Sequence, residues 1–225
     1  TRVLVVDQAH TLNDSSANAL LKTLEEPPAG VVVILTAEGV DRFPATIRSR
    51  LAKLRLRAVP EATIARWLAR TDGIDDDAAA GAAALAGGSP GLALWLLGKD
   101  ATGHYAALTG RLAEAKARGE AGIAGVADAL GAMQEAGEAA LPRELVGQLV
   151  RRAVAARLGL EVAPLAAGEA PVLADLGGGR LDRLWEVWDK LAVLDDVAER
   201  LSLDRPSLLV DIAASLAGAE PAPRR

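Results

Sequence analysis

Two short apolar runs set the opening pattern of the chain. Residues 2–6 (Arg-Val-Leu-Val-Val) and 31–36 (Val-Val-Val-Ile-Leu-Thr) are β-branched and do not alternate with polar residues, as in strands buried on both faces of a parallel sheet. Between them Ala17, Leu20, Leu21 and Leu24 fall at i, i+3, i+4 and i+7. Asn13 or Asp14 offers a cap and Pro27-Pro28 a stop, so the spacing predicts one helix. Strand, helix and strand at this length make a βαβ crossover, and the front of the chain is expected to be α/β.

A turn-rich stretch, Glu38 to Pro44, leads to a segment in which Leu51, Lys53, Arg55 and Arg57 alternate with Ala52, Leu54, Leu56 and Ala58. Period two predicts one more strand with a charged face, a simpler reading of these three cations than contact with DNA. Pro60-Glu61 then opens a helix carrying Ile64, Trp67 and Leu68. Asp75-Asp76-Asp77 places negative charge at the start of an alanine-rich helix running to Ala86. Gly87-Gly88 end that helix, and Ser89-Pro90 supply an N-cap and an N1 proline for the next, through Leu97.

From about residue 104 the pattern is helical throughout. Leu145, Val146, Leu149, Val150, Ala153 and Val154 form one apolar stripe, and Leu181, Leu184, Trp185, Trp188, Leu191 and Ala192 another. The stretch 159–171 and Gly177-Gly178-Gly179 are expected to be connections. A last helix starts at Pro206 with Leu208, Leu209, Ile212 and Leu216, and the tail from Glu220 is expected to fray. No segment repeats at ~20–50 residue spacing, which argues against a solenoid.

Composition narrows the chemistry. The 225 residues, at ~150 per domain, predict one or two domains, and 51% hydrophobic with 24% charged residues is a globular profile. With no cysteine and only His10 and His104, disulfides, thiol nucleophiles and cysteine-ligated zinc are excluded and no metal site is expected. The net charge of −5 argues against binding nucleic acid by bulk charge. No run reaches the ~18 apolar residues of a membrane span and no leader pattern is present, so a cytoplasmic protein is expected. Thr1 is not a methionine and the first apolar run begins at once, so a chain cut at its N-terminus is expected.

Several residues carry candidate chemistry. Asp7 ends the first apolar run, where α/β sheets bind ligands and where an aspartate can either hold a nucleotide's magnesium or simply cap the following loop. An NTPase would usually place a glutamate beside it, but the next residue is Gln8, whose neutral amide cannot act as a base. His10, in the loop that follows, is read as an ordinary loop histidine. Asp195-Asp196 and Asp75 to Asp77 read as solvated helix ends. The tryptophans Trp67, Trp95, Trp185 and Trp188 lie on apolar stripes and are expected in the core.

Ala17-Asn-Ala-Leu-Leu-Lys-Thr-Leu-Glu-Glu-Pro-Pro28, followed by Thr46-Ile-Arg-Ser-Arg50, resembles the AAA+ clamp-loader proteins of bacterial DNA polymerase III, most closely their delta-prime branch. The resemblance is specific over residues 3–56 and looser beyond, with a moderate match at Leu201 to Leu209. It implies α/β followed by all-α: residues 1–57 as the later part of an AAA+ P-loop NTPase-like parallel sheet, 58–98 as a three-helix lid, and 99–225 as a helical collar through which subunits form a ring.

The same resemblance assigns roles. The family's Ser-Arg-Cys motif falls on Ser49, Arg50 and Leu51, and its arginine is the finger that reaches the ATP site of a neighbouring subunit. Leu51 departs from the cysteine. Gly88-Ser89-Pro90-Gly91 puts glycine where ATPase subunits carry a lid sensor arginine, and Thr36-Ala37-Glu38 covers the other polar sensor without an assigned role. Gln8 and Gly91 together point to a subunit without hydrolysis or cofactor of its own. Its implied partners are gamma/tau-like ATPase subunits and a delta subunit, with the sliding clamp and primed DNA reached through the assembly. The rivals are a gamma/tau-like ATPase subunit whose P-loop lies outside this chain, and a helical interaction module unrelated to replication.

Overall fold

The structure is a computed structural model and describes residues 1–71, 73–135, 140–178, 185–187, 189–190 and 205–218. It divides into two compact units, Thr1–Leu56 and Arg57–Arg225. Most of it is helical, with one small parallel sheet.

In the first unit β1 (Arg2–Val6) and β2 (Val31–Leu35) pair in parallel, Arg2 opposite Val31 and Val6 opposite Leu35. The helix between them, α1 (Asp14–Glu25), starts where the sequence placed it, with Asn13 Oδ1 accepting from the Ser16 N–H at 2.9 Å. Side chains alternate across a strand, so one sheet face sends Val6 and Leu35 to meet Leu21 and Leu24 of α1 around buried Ala9, Ala17, Phe43 and Ile47. The other face presents Val3, Val5, Val32 and Ile34, each 45–59% exposed. Burial on both faces is therefore not realised: α1 covers one face, and among the described residues of this unit no element packs on the other.

After β2 the chain makes a 3-10 turn, Val40–Arg42, and a short helix α2 (Ala45–Arg48) anchored by Ile47. The strand expected over 51–58 does not form; the segment carries no regular structure. A strand is stabilised by a ladder partner, and among the described residues none pairs with this segment, whose Leu54 and Leu56 are 86% and 85% exposed.

The second unit opens with α3 (Glu61–Leu68), α4 (Asp76–Leu85) and α5 (Pro90–Leu97). Their ends follow local chemistry. Asp75 caps α4 by accepting from the Asp77 and Ala78 N–H groups, and Ser89 caps α5 through Leu92 N–H. Gly88 has φ 88, and a Cβ there would lie 2.5 Å from that of Ala58. Further helices follow among the described residues: α6 (Ala101–Arg118), α7 (Glu120–Glu135), α8 (Ala140–Arg157), α9 (Glu169–Gly178) and α10 (Arg205–Leu216). One apolar core runs through all of them, from Ile64 and Leu68 through Leu108, Leu130 and Leu149 to Ile212. No helix among the described residues is long and apolar enough to cross a membrane.

Residues 159–168 are a connection as expected, but helix α9 corrects the rest, since it takes in Glu169 to Pro171 and Gly177-Gly178, while Gly179 lies outside the described residues. Proline is tolerated in a first helical turn. Gly177 permits close packing on α8, because a Cβ there would sit 2.8 Å from the Ala153 carbonyl oxygen. Trp67 and Trp185 are 46% and 67% exposed and not core residues, whereas Trp95 is half-buried against the core. Helix α3 turns a narrow stripe inward, Ile64 and Leu68 one turn apart, which leaves Trp67 at its rim. Of the second predicted stripe, Leu181, Leu184, Trp188, Leu191 and Ala192 lie outside the described residues, as do Asp195-Asp196, Leu201 to Asp204 and the tail from Glu220.

Candidate functional site

The strand ends of the first unit are tied together by Thr36. Its hydroxyl donates to Asp7 Oδ1 and accepts from the Gln8 N–H at 2.9 Å. Backbone bonds flank this link, Thr36 N–H to the Val6 carbonyl at 3.0 Å and Ala9 N–H to the Thr36 carbonyl at 2.9 Å. Gln8 turns the chain there with a left-handed backbone, φ 48, a conformation uncommon outside glycine and asparagine. Asp7 and Gln8 are exposed. One Asp7 oxygen is taken by a neutral donor, and the Gln8 side chain is an amide. The pair can orient a loop, and the Gln8 amide offers no general base.

His10 lies in the 3-10 turn Ala9–Thr11 with its side chain only 10% exposed. Its Nε2 is 4.0 Å from Glu38 Oε2, and its buried Nδ1 has no hydrogen-bond partner. Among the described residues no three acids or histidines are placed to hold a metal ion.

Ser49 and Arg50 come together at the end of α2. Ser49 Oγ donates to the Thr46 carbonyl at 3.1 Å, and Arg50 Nη1 donates to the same carbonyl at 2.7 Å. Buried Ile47 fixes the helix beneath them. The other terminal nitrogen, Arg50 Nη2, lies 2.6 Å from Glu25 Oε1 at the last residue of α1. The guanidinium is thus held from two sides, and the Arg50 side chain as a whole remains 37% exposed. Glu25 was not singled out from the sequence. Its one available signal was its position as an acid at a helix C-terminus, where the helix dipole disfavours negative charge.

Gly91 belongs to the second unit, near the start of α5, where it is exposed and has nothing within 4 Å of a Cβ placed on it. A side chain would fit at this position.

Residues 1–60 match the family model described as DNA polymerase III, delta subunit. The chain is 43% identical over 99 residues to DNA polymerase III subunit delta' of Escherichia coli strain K12, covering 44% of this chain and 30% of that protein. It is 45% identical over 67 residues to DNA polymerase III subunit gamma of Buchnera aphidicola subsp. Acyrthosiphon pisum, covering 30% and 19%. It is 43% identical over 68 residues to DNA polymerase III subunit tau/gamma of Haemophilus influenzae, covering 30% and 10%. The chain thus spans less than a third of the length of these curated relatives. Through these residues it is similar to the delta-prime and gamma/tau subunits of DNA polymerase III.

Proposed function

We propose that this chain is part of a clamp-loader subunit of the delta-prime type, which presents Arg50 in trans to a nucleotide held by a neighbouring gamma/tau-like subunit and helps place the sliding clamp on primed DNA. The single observation that carries the reading is the guanidinium of Arg50, braced by the Thr46 carbonyl and by Glu25 on a side chain that is still 37% exposed. A planar, permanently charged group held this way can stabilise charge on a phosphoryl group in transfer without reorganising at that moment. Ser49 braces the same turn. The likeness to polymerase III subunits supplies the assembly in which such a group has a target.

Gln8 and Gly91 support a role without hydrolysis in cis. A neutral amide stands where a base would be needed, and a glycine stands where a phosphate-binding arginine would be needed. The further division of the second unit into a lid at 58–98 and a collar at 99–225, with the collar joining a delta subunit and the ATPase subunits, belongs to the same proposal.

The likeness to gamma and tau/gamma subunits favours a second reading, an ATPase subunit of the same assembly. ATP turnover by the isolated full-length protein separates the two. The test of the first is the DNA- and clamp-stimulated ATPase rate of a reconstituted loader, wild type against Arg50→Ala at matched assembly. A trans-acting arginine is worth ~10³–10⁵ in rate in single-site hydrolases, and a ring with several sites loses less when one is silenced. The expected result is a several-fold fall with assembly intact. An unchanged rate would remove Arg50 from the chemistry.

A further inference from the structure

We propose that Glu25 is the positioning residue of the Arg50 finger, an inference that rests on the reading of Arg50 as the group acting in trans. Arginine has five N–H donors in a fixed plane. Here Nη1 is spent on the Thr46 carbonyl at 2.7 Å, with Ser49 Oγ at 3.4 Å, and one Nη2–H on Glu25 Oε1 at 2.6 Å. These contacts come from two different elements, α2 and the end of α1, and fix the orientation of the guanidinium plane. Among the described residues, Nε–H and the second Nη2–H have no partner, and they are the donors left for a phosphate.

Two observations separate this role from ordinary stabilisation. The pair is exposed, Arg50 at 37% and Glu25 at 48%, and such surface pairs add little to folding. Glu25 also stands at the C-terminal end of α1, where helix energetics alone disfavour a carboxylate. Without Glu25 the arginine keeps its charge and its Thr46 contact, but the long side chain regains rotamers that turn its free donors away. Misplacement of that kind lowers the rate of the chemical step and leaves binding of the nucleotide, held by another subunit, unchanged.

The experiment uses loaders reconstituted with full-length protein carrying Glu25→Ala, Glu25→Gln, Arg50→Ala or Glu25→Ala with Arg50→Ala, assayed for ATP hydrolysis at matched assembly. The expected result for Glu25→Ala is a kcat lowered about 3–10-fold with KM for ATP unchanged, a smaller loss than Arg50→Ala gives. Glu25→Gln, whose amide oxygen still accepts from Nη2, recovers at least half of that loss. The double variant is no slower than Arg50→Ala alone. If Arg50→Ala slows the loader while Glu25→Ala leaves kcat unchanged or raises it, the positioning role is overturned and the finger stands. Additive losses in the double variant also overturn it, because Glu25 would then act independently of the arginine. If Arg50→Ala itself has no effect, the finger reading fails, and the role of Glu25 with it.

Discussion

Tyr105 of α6 donates its hydroxyl proton to Glu169 Oε1 across 2.6 Å, joining two helices that are far apart in sequence. Glu169 is fully buried and accepts three further bonds: Arg152 Nε at 2.7 Å, Arg152 Nη2 at 3.2 Å and the Leu165 N–H at 2.6 Å. Burial raises the tyrosine pKa, as does the adjacent carboxylate. Breaking a buried pair from one side leaves the other charge unpaired, at a cost of about 3–5 kcal/mol. Glu169→Ala is therefore expected to destabilise the second unit by that amount, and Tyr105→Phe by about 1 kcal/mol. Urea unfolding followed by far-UV circular dichroism would check both.

The same carboxylate sets an acid limit. Burial pushes the Glu169 pKa up, but the bonds from Arg152, Tyr105 and Leu165 outweigh it and hold the group below its ordinary range. A group whose folded-state pKa is depressed stabilises the fold above its unfolded value, ~4.3 for glutamate. That contribution is lost as pH falls through the lower folded-state value. Stability of the wild type should thus decline below pH ~4 more steeply than that of Glu169→Gln, which has no proton to take up at this position. Parallel slopes in melting temperature against pH would refute this.

Two glycines should respond in opposite directions. A Cβ on Gly122 would meet the Ala115 backbone at 2.5 Å from its Cα, so Gly122→Ala forces α6 and α7 apart and should cost about 1–3 kcal/mol. Gly91 has open space around it, and Gly91→Ala in a helix should stabilise by about 0.5–1 kcal/mol. Thermal denaturation of the two variants beside wild type gives the signs directly.

Asn13 caps α1 through a single side-chain bond. Asn13→Ala should cost about 0.5–2 kcal/mol and Asn13→Asp much less, because aspartate also accepts from the helix N–H groups. A loss confined to the first unit would appear as faster amide exchange in α1 with no change in α8.

Much of this architecture was legible because local chemistry agreed with the final structure. Asn13, Asp75 and Ser89 mark helix starts by their side chains, and Gly87-Gly88 marks an end by backbone freedom. Where long-range partners decide, the pattern misled. The alternation at 51–58 carries a strand's periodicity but no ladder neighbour, and α9 holds a proline and glycines whose fit depends on the surface of α8. The candidate site divided in the same way. Ser49 and Arg50 were legible as a motif, and Asp7 as a strand end. Glu25 was not, because its meaning comes from a guanidinium 25 residues further along that only the folded unit brings within 2.6 Å. Thr36 was likewise visible without a role until its hydroxyl met Asp7.

The parallel pairing of β1 with β2 also bears on the order in which the chain acquires structure. Asp7 and Thr36, which the pairing brings together, are 29 residues apart, whereas the helices of the second unit close bonds only four residues long. Closing a long loop costs entropy before any contact repays it. The helical unit is therefore expected to form first and the sheet last. Pulse-labelled hydrogen exchange would show this as protection at Leu149 preceding protection at Val33, and the reverse order would contradict it.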